Sequence, residues 1–402
     1  MTLLAPYRVL DLTGPLGFLA GKVLADLGAD VIKVEPPGGD PSRGWPPHRP
    51  ARDGTGPEGL FWGACNAGKR GITLDLETDE GRRTLGRLAA RVDFLIESFA
   101  PGTLESWGLG PGALRRLNPG LIVVSITPFG QEGPYRDYLA FDLELMALSG
   151  AMSLAGDAEG EPMRISVPQA PMWVGVEAAM GALTALAHRS STRRGQQVDV
   201  SAQAAVLSAL AHAPTFWDMS GVNPQRAGLF ITGRSVTGAE MRAFWRCRDG
   251  WLNFILYGGA AGRHTNRELV AWMKERGMAP EWMEGLDWSQ FEVTTLTQGD
   301  VDRLEAPIGA FLATLTKREF LDGVVQRGML GYPVSTVAEI HQDEQLRARG
   351  FWQDVPDGAG ATLRHPGGFA LVNGHRLAVR AGAPRLGEHN REVLQELARP
   401  EG

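Results

Sequence analysis

A short basic segment, Asn66-Ala67-Gly68-Lys69-Arg70, offers the most direct chemistry in this sequence. Lysine supplies a point charge and arginine a planar fork of donors, and both bind phosphate where flexible backbone allows a close approach. Arg43, in a loop rich in Gly and Pro, has the same potential. These residue types favour a phosphate-bearing ligand, but a solvated basic turn explains them equally well.

Gly14-Pro15-Leu16-Gly17 is a second candidate anion site, because it follows a predicted strand and opens a predicted helix. In dinucleotide-binding folds such a turn holds a pyrophosphate, and an acid at the end of the next strand, here Glu35, binds a ribose hydroxyl. The spacing is not G-x-G-x-x-G, and Pro15 interrupts the turn. A tight turn whose helix N-terminus receives a phosphate of another ligand is therefore favoured over an NAD-dependent dehydrogenase.

Metal chemistry finds no support in the sequence. The eight His residues include no pair at H-x-x-x-H or H-E-x-x-H spacing, and Cys65 and Cys247 are too few for a four-thiolate zinc site. Neither a G-x-S-x-G elbow nor a P-loop occurs. We therefore expect neither a metal nor a nicotinamide cofactor, and we interpret both cysteines as small buried apolar residues.

The elements that must position these residues alternate between strand and helix patterns. A right-handed βαβ unit followed by further alternation specifies a doubly wound α/β domain. Thr78 is the expected N-cap of the helix after the third strand. The predicted strands are Tyr7–Leu12, Asp30–Glu35, Gly71–Leu76, Asp93–Glu97, Leu121–Thr127 and Gln196–Ser201.

The pattern changes near Pro224, after which the strand–helix alternation stops and tryptophan becomes frequent. A hairpin turning at Asp249-Gly250 and a helix within 306–328 are predicted in this region. Strand and turn signals return after Pro333, so the middle of the chain is a candidate second domain.

Composition limits the class of protein. The 402 residues carry a formal net charge of −6, which argues against nucleic acid binding, and 43% hydrophobic residues suffice for a large core despite 52 Gly and 26 Pro. The N-terminus lacks the basic region of a signal peptide, and no apolar run is long enough to predict a membrane span. We expect a cytoplasmic protein with no nucleic acid or membrane partner.

Several segments, taken in order, resemble the class III CoA-transferase family, which includes formyl-CoA transferase, carnitine CoA-transferase and the α-methylacyl-CoA racemases. They run from residue 7 to about residue 396, and only about 223–330 is weakly matched. Within that weaker region, WRCRDGWLNFIL and LTQGDVDRLEAPI resemble the Asp-lacking subunit of succinyl-CoA:benzylsuccinate CoA-transferase. The main matching segments are VLDLTGPLGFLAGKVLADLGADVIKVEPPGGDPSRGW, NAGKRGITLDLETDEGRRTLGRLAARVDFLIESFAPG, LNPGLIVVSITPFGQEGPY, RRGQQVDVSAQAAVL and YPVSTVAEIHQDEQLRARGFW.

The resemblance implies an α/β fold with a Rossmann-like large domain made from both chain ends, an inserted small α+β domain, and an interlinked dimer. The expected boundaries are 1–222 for the N-terminal part of the large domain, 223–332 for the small domain and 333–402 for the C-terminal return.

The resemblance also implies coenzyme A or acyl-CoA as substrate. Pro36 stands where the family often has Arg, and Ala100 replaces a side chain that is often Arg in the racemases. Fewer charge contacts to the CoA phosphates follow, unless Arg43 or an arginine of the small domain substitutes. Arg43 is therefore added to the candidate CoA-binding residues as a substitute. The positions that match the family's CoA-binding residues are Leu16, Gly17, Asn66, Lys69, Arg70, Ser98, Phe99, Ala100, Phe129 and Gly130.

The expected catalytic position departs from the family pattern. The transferases use an Asp carboxylate that attacks the thioester to give a mixed anhydride and then an aspartyl-CoA thioester. Pro171 occupies the matching position, and proline has no nucleophile. The alternatives are Asp142, Gln169 and Glu177. The racemase pattern fails as well, because Phe141 stands in place of its His.

The favoured interpretation is the non-nucleophilic subunit of a hetero-oligomer that moves CoA between an acyl-CoA and a carboxylic acid. The expected partner is then a related Asp-containing chain, whereas a homodimer remains the alternative. An acyl-CoA racemase or isomerase of the same fold, other CoA-ester chemistry on this chain's own acids, and a catalytically silent CoA-binding protein also stay open.

Overall fold

The structure, a computed structural model, describes residues 2–50, 57–356 and 362–399. It divides into two compact units, which are described separately. Unit 1 comprises Met1–Met152, Arg164–Pro224 and Glu344–Gly402, and unit 2 comprises Ser153–Met163 and Gln225–Asp343.

The strands vary from two to six residues in length. They are β1 (Arg8–Leu12), β2 (Asp30–Glu35), β3 (His48–Pro50), β4 (Pro57–Gly59), β5 (Arg70–Thr73), β6 (Phe94–Glu97), β7 (Ile122–Thr127), β8 (Gln197–Ser201), β9 (Phe230–Ile231), β10 (Met241–Arg242), β11 (Phe244–Cys247), β12 (Gly250–Asn253), β13 (Tyr332–Pro333), β14 (Trp352–Pro356), β15 (Thr362–Pro366), β16 (Leu371–Val372) and β17 (His375–Arg376).

The α-helices are α1 (Phe18–Asp26), α2 (Leu60–Asn66), α3 (Asp79–Ala89), α4 (Thr103–Ser106), α5 (Pro111–Leu117), α6 (Asp142–Leu148), α7 (Ala170–Thr192), α8 (Ala202–Ser208), α9 (His212–Ser220), α10 (Gly259–Glu275), α11 (Glu281–Glu284), α12 (Gln298–Leu312), α13 (Lys317–Arg327), α14 (Val337–Gln342), α15 (Glu344–Ala348) and α16 (Asn390–Ala398). Short 3-10 segments occupy Pro41–Gly44, Ala151–Leu154, Trp288–Gln290 and Val293–Thr295.

Unit 1 is built on a parallel sheet with the strand order β5-β2-β1-β6-β7-β8. The chain runs outward from β1 to β5, returns to β6 beside β1, and then runs outward again to β8. This order places a topological switch point between β1 and β6, so the predicted doubly wound α/β architecture is confirmed.

Both faces of this sheet are covered, as continuous apolar strands require. Val9 packs on one face in a core that contains residues of α1 and α7. Leu10 packs on the other face with residues of α3, α5 and the C-terminal helix α16. All six predicted strands of the sheet are present, and Thr78 caps α3 by accepting a hydrogen bond from the Gly81 amide at 3.1 Å.

By length and composition alone, helix α7 is long and apolar enough to cross a membrane. Its alanines Ala178 and Ala182 are buried in the sheet core, and Gly175 meets α1 so closely that a Cβ there would lie 2.6 Å from Leu19 Cβ. These contacts are those of a helix that packs on a sheet within a folded core.

Unit 2 has its own apolar core, in which Trp245, Trp272 and Trp288 are buried. The predicted hairpin is present as β11 and β12, but its two-residue loop is Arg248-Asp249, because Cys247 pairs with Gly250. The predicted helix within 306–328 is two helices, α12 and α13, since Thr316 starts the second with a capping box.

Candidate functional site

A cavity of about 560 Å³, cavity A, opens at the carboxyl edge of the sheet where the strand order reverses. Ligands of doubly wound folds bind at this switch point, outside the carboxyl ends of the strands. One side of cavity A is the turn after β1 and another is the turn after β6. Leu16, Ser98, Phe99 and Ala100, four of the predicted CoA-binding residues, line it together.

Cavity A is mainly apolar and aromatic. Trp45, Tyr138 and Phe141 line it, and the Trp45 and Phe141 rings meet edge to face with centroids 5.7 Å apart. Arg136 and Glu144 bring charge to its lining. A mostly apolar pocket with a few polar groups is the usual form of a small-molecule site.

The turn after β1 is held by the residues predicted to bind a ligand there. The Gly14 amide donates to Ser98 Oγ at 2.7 Å, which joins the ends of β1 and β6. Gly17 is required by space, because a Cβ at this position would lie 2.7 Å from Thr13 Cγ2. Gly17 therefore contributes the tight entry into α1.

A second cavity of about 310 Å³, cavity B, shares Gly14, Ser98 and Phe99 with cavity A. It extends along the ends of β2 and β5, where Glu35 and Trp107 line it. The two cavities thus form a continuous surface across the switch point.

A buried ion cluster lies behind this surface. Lys69 Nζ is 2.7 Å from Asp11 Oδ2, and Lys33 Nζ is 3.6 Å from Asp11 Oδ1. Lys69 also donates to the Asn66 side chain and to the Phe18 carbonyl, each at 2.8 Å. Burial alone would raise the pKa of Asp11, but the two ammonium groups hold it below its usual value. Lys69 and Asn66 are therefore interior residues that brace the turn from β1 to α1.

Arg43 is also engaged inside unit 1. Its guanidinium makes two hydrogen bonds to the Glu35 carboxylate, each at 2.7 Å, and one to the Pro384 carbonyl at 3.0 Å. It lies over the Trp62 ring, 4.1 Å from the centroid. The acid that a nicotinamide site would use for ribose is thus the ion-pair partner of Arg43.

Arg70, the last residue of the basic segment, links β5 to the C-terminal helix. It pairs with Asp30 at 2.6 Å, with Glu396 at 2.8 Å and with Glu392 at 2.9 Å. Arg43, Lys69 and Arg70 are therefore each matched by carboxylates of their own chain. Their contact with a CoA phosphate stays a prediction.

Glu97, at the end of β6, is buried one residue before the cavity lining. Its Oε2 accepts a hydrogen bond from the Phe99 amide at 2.8 Å. Burial raises the pKa of Glu97 to about 7, although hydrogen bonds from Ser125 and Phe99 oppose the rise and the Glu105 and Asp199 carboxylates add to it. This acid is not obvious from sequence, where it is one polar residue in an apolar strand.

Phe129 and Gly130, from the glycine-containing turn after β7, lie near the aromatic wall. The Phe129 ring meets Tyr135 and Tyr138 edge to face at 5.8 and 6.3 Å, and Tyr138 lines cavity A. Gly130 has φ +94°, and its amide donates to Thr127 Oγ1 at 2.9 Å. Glycine suits this left-handed conformation, so Gly130 acts by shaping the turn.

The expected nucleophile position lies in the first turn of α7, where Pro171 is buried. Asp142 Oδ1 accepts hydrogen bonds from the Gln169 amide at 2.6 Å and the Ala170 amide at 2.9 Å. The Asp142 carboxylate thus satisfies the amides that begin α7. Proline fits this first turn because its missing N–H needs no partner.

Gln169 and Glu177 are the two other candidate catalytic residues. The Gln169 side-chain amide donates to the carbonyls of Val167 and Pro168 at 3.1 and 3.3 Å. Glu177 lines a separate cavity of about 460 Å³ between α7 and the edge strand β8. Glu177 is thus assigned to a different cavity from the one that Leu16 and Ser98 line.

Some residues of the site were not identified from sequence. Trp45 and Tyr138 belong to the aromatic wall of cavity A, and Trp107 lines cavity B. The third aromatic residue of that wall, Phe141, was noted from sequence only as the residue in place of the racemase His. The available signal was their position in loops that follow strand ends, where large aromatics need a packing partner or a ligand. Among residues 2–50, 57–356 and 362–399, no group of three or more His, Cys, Asp or Glu side chains could hold a metal ion.

The two cysteines differ in environment. Cys65 is buried beside Phe18 and Trp62, and burial raises the pKa of its thiol to about 11. Cys247 is only half-buried, because the strand that carries it borders the core of unit 2.

Comparison with known proteins identifies the family to which this chain belongs. Residues 4–390 match the family model described as CoA-transferase family III. The succinyl-CoA:(R)-benzylsuccinate CoA-transferase subunit BbsE of Thauera aromatica is 34% identical over 98% of this chain and 94% of that protein. The succinate–glutarate CoA-transferase of Agrobacterium fabrum is 32% identical over 98% of this chain and 95% of that protein.

A solved structure of a CAIB/BAIF family protein from Brucella suis has the same fold. It superposes with a TM-score of 0.80 at 29% sequence identity, and the match covers 98% of both chains.

Proposed function

The chain belongs to CoA-transferase family III, and from that premise we propose that it moves CoA between an acyl-CoA thioester and a carboxylic acid. The observation that carries this proposal is cavity A, an aromatic-walled pocket at the switch point of the sheet. Its size suits the pantetheine arm and acyl group of an acyl-CoA. Relatives at 30–34% identity are named as CoA-transferases of dicarboxylic acids.

We assign the ligand contacts to Leu16, Ser98, Phe99 and Ala100, with Phe129 supporting the aromatic wall. Gly17 and Gly130 shape the turns that carry them. Larger features of the family are proposed in the same way. They are a Rossmann-like large domain from both chain ends, a small inserted domain, and a dimer of interlinked chains.

The second part of the proposal is that this chain is the non-nucleophilic subunit of a hetero-oligomer. Pro171 supports it, because no carboxylate stands at the expected position and Asp142 is engaged by two backbone amides. In the family reaction an Asp attacks the thioester carbonyl, the carbon–sulfur bond breaks, and the CoA thiolate leaves. The thiolate then attacks the Asp carbonyl of the mixed anhydride and releases the donor carboxylate. A related partner chain would supply that Asp.

The test compares this chain alone with the chain co-purified with a related subunit that has Asp at the Pro171 position. We expect transfer from succinyl-CoA to a dicarboxylate only with both chains, and a hydroxylamine-sensitive adduct on the partner. Transfer and an adduct by this chain alone would overturn the subunit role and leave the transferase intact. Deuterium exchange at the acyl α-carbon without an acceptor would instead indicate a racemase.

A matched pair of variants sharpens this test. Pro171→Asp introduces a carboxylate where the helix N-terminus stabilises negative charge. Pro171→Asn introduces a side chain of nearly the same shape as Asp, but its amide is not a nucleophile. We expect a hydroxylamine-sensitive adduct with succinyl-CoA only in Pro171→Asp. Calorimetric titration with CoA and NAD checks the ligand itself, and binding of NAD without CoA would refute the proposal. Binding of CoA with no transfer under any condition would favour a catalytically silent CoA-binding protein.

A further inference from the structure

Coenzyme A is strongly anionic, because its nucleotide end carries a diphosphate and a 3′-phosphate. Phosphate recognition needs cations that carboxylates have not already neutralised. Arg43 is held by Glu35, and Arg70 is held by acids of β2 and α16. Arg136, which lines cavity A, pairs with the neighbouring Asp137 at 3.2 Å. If CoA is the ligand, as the proposed function requires, further cations near cavities A and B are needed to bind its nucleotide phosphate.

A third cavity of about 610 Å³, cavity C, lies on the outer side of α3, against the segment that joins α4 to α5. Its floor is apolar and is formed by Trp107, Leu109 and Leu117, with Gly86 and Ala90 beside them. Its rim is cationic. The arginines that line it are Arg82, Arg83 and Arg87.

Trp107 connects cavity C to the proposed CoA site. It lines both cavity B and cavity C. On one side its ring meets Phe99 edge to face, with centroids 5.2 Å apart, and Phe99 lines both cavity A and cavity B. The Arg82 guanidinium lies 5.6 Å from the Trp107 centroid. A continuous path therefore leads from the aromatic pocket, past Trp107, to the arginines of α3.

The hydrogen-bond partners of Arg82 are neutral backbone carbonyls, so they do not neutralise the charge of its guanidinium. Its Nε donates to the Leu76 carbonyl at 2.7 Å, and its terminal nitrogen donates to the Glu77 carbonyl at 3.0 Å. Both carbonyls belong to residues that line cavity B. The backbone thus fixes the guanidinium between cavities B and C, where a phosphate could add charge-assisted hydrogen bonds.

The charges on this side of α3 favour an anion. Arg83 pairs with Glu80 at 2.8 Å on the surface, and Arg87 is exposed one turn further along the helix. Asp79 also lines the cavity. Three arginines against two carboxylates leave a net positive rim above an apolar floor.

We propose that Arg82, assisted by Arg83 and Arg87, binds the 3′-phosphate at the nucleotide end of the acyl-CoA, with the purine ring against Trp107. A planar base suits the aromatic face of Trp107, and the phosphate suits the guanidinium beside it. The arginines of α3 then supply positive charge for the phosphate, because Arg43, Lys69 and Arg70 already form ion pairs with carboxylates of this chain.

Calorimetric titration with CoA and with 3′-dephospho-CoA tests this assignment. We expect the unmodified chain to bind CoA about tenfold more tightly than 3′-dephospho-CoA, because two charge-assisted hydrogen bonds are lost with the phosphate. The Arg82→Gln/Arg87→Gln variant should lose that preference through weaker CoA binding, with 3′-dephospho-CoA affinity unchanged. Asp79→Asn, which removes a competing carboxylate, should strengthen CoA binding only.

The matched control is Arg194→Gln, an exposed arginine just before β8, at the opposite, amino-terminal edge of the sheet. It should leave both affinities unchanged. The decisive quantity is the ratio of CoA affinity to 3′-dephospho-CoA affinity. If this ratio is the same in the unmodified chain and in the arginine variant, the assignment to α3 is overturned, while CoA binding and the proposed function stand. If neither ligand binds the unmodified chain, the proposed function fails and this assignment fails with it. Because Arg82 also bonds backbone, Arg87→Gln alone and Asp79→Asn keep the test valid if the double variant misfolds.

Discussion

Buried carboxylates have different surroundings on the two sides of the carboxyl edge of the sheet. On the β1–β2–β5 side, the carboxylates of Asp11 and Glu35 are matched by the cations Lys69, Lys33 and Arg43. On the β6–β7–β8 side, Glu97 is held by the Ser125 hydroxyl and the Phe99 amide, with further carboxylates nearby.

The difference distinguishes charges that have a structural role from charges that can change with pH or on ligand binding. On the first side, opposite charges cancel, so basic residues that look like phosphate ligands are internal braces. On the second side, a raised pKa removes charge by protonation, so the local structure depends on pH.

The largest effect is expected for Lys69→Met. This variant leaves Asp11 buried without its closest cation, and breaking a buried pair in this way costs on the order of 3–5 kcal/mol of unfolding free energy. Urea denaturation measures the loss. The control, Lys274→Met, removes a lysine whose side chain is 67% exposed, and we expect a far smaller loss because solvent screens its ion pair. Equal losses in the two variants would show that the buried cluster does not stabilise the fold.

The next effect concerns pH and the second side of the edge. Because the pKa of Glu97 rises from 4.5 to about 7 on folding, the folded state binds this proton more tightly. The free energy of unfolding contributed by Glu97 therefore falls as pH rises through this range, by about 3 kcal/mol in total. Glu97→Gln keeps an acceptor for the Phe99 amide but cannot ionise.

We expect Glu97→Gln to be more stable than the unmodified chain at about pH 8, by up to about 3 kcal/mol, with the gap narrowing to about 1 kcal/mol or less near pH 5. Thermal or urea unfolding across this pH range measures the gap. Glu159→Gln, at an exposed position, should leave the pH profile of stability unchanged. A constant gap for Glu97→Gln across this pH range would show that folding does not raise the pKa of Glu97.

The fold was largely predictable because its signals are local. Apolar runs such as Leu121–Thr127, the Thr78 cap and the alternation of elements each depend on a few neighbouring residues. The boundary between α12 and α13 was missed, because Thr316 and Glu319 form a capping box inside a segment that is otherwise helical in pattern. Short-range polar contacts of this kind are easily overlooked beside a strong apolar periodicity.

The site was less predictable because its chemistry depends on distant partners. Lys69 and Arg70 are adjacent basic residues in a glycine-containing turn, and nothing near them reveals Asp11 or Glu396. Arg82 looks like an ordinary surface arginine of an amphipathic helix until Trp107 is placed beside it. Sequence reasoning grouped Leu16, Ser98 and Phe99, which line cavity A together, but the pairing of charges across this edge of the sheet could only be read from the structure.

A smaller effect is expected at the start of α7. Asp142→Ala removes the oxygen that accepts from the Gln169 and Ala170 amides, and loss of such a cap costs about 0.5–2 kcal/mol. Asp142→Asn retains an oxygen and should cost clearly less. Urea denaturation compares the two variants. If Asp142→Asn is as damaging as Asp142→Ala, the negative charge rather than the hydrogen bonds stabilises α7.

The smallest effect, and the one that bears most directly on the comparison, is expected for Arg70→Gln. The Arg70 side chain is 18% exposed, and its partners Asp30 and Glu396 are 37% and 31% exposed, so solvent screens the pairs. We expect a loss of about 1 kcal/mol that shrinks in high salt, against almost none for Arg318→Gln, whose side chain is 68% exposed. Urea denaturation at low and high ionic strength measures both. CoA affinity should stay unchanged in Arg70→Gln, because its guanidinium is already shared among carboxylates of β2 and α16. Weaker CoA binding with unchanged stability would mean that Arg70 releases these acids for a phosphate, and that the first side of the edge binds ligand after all.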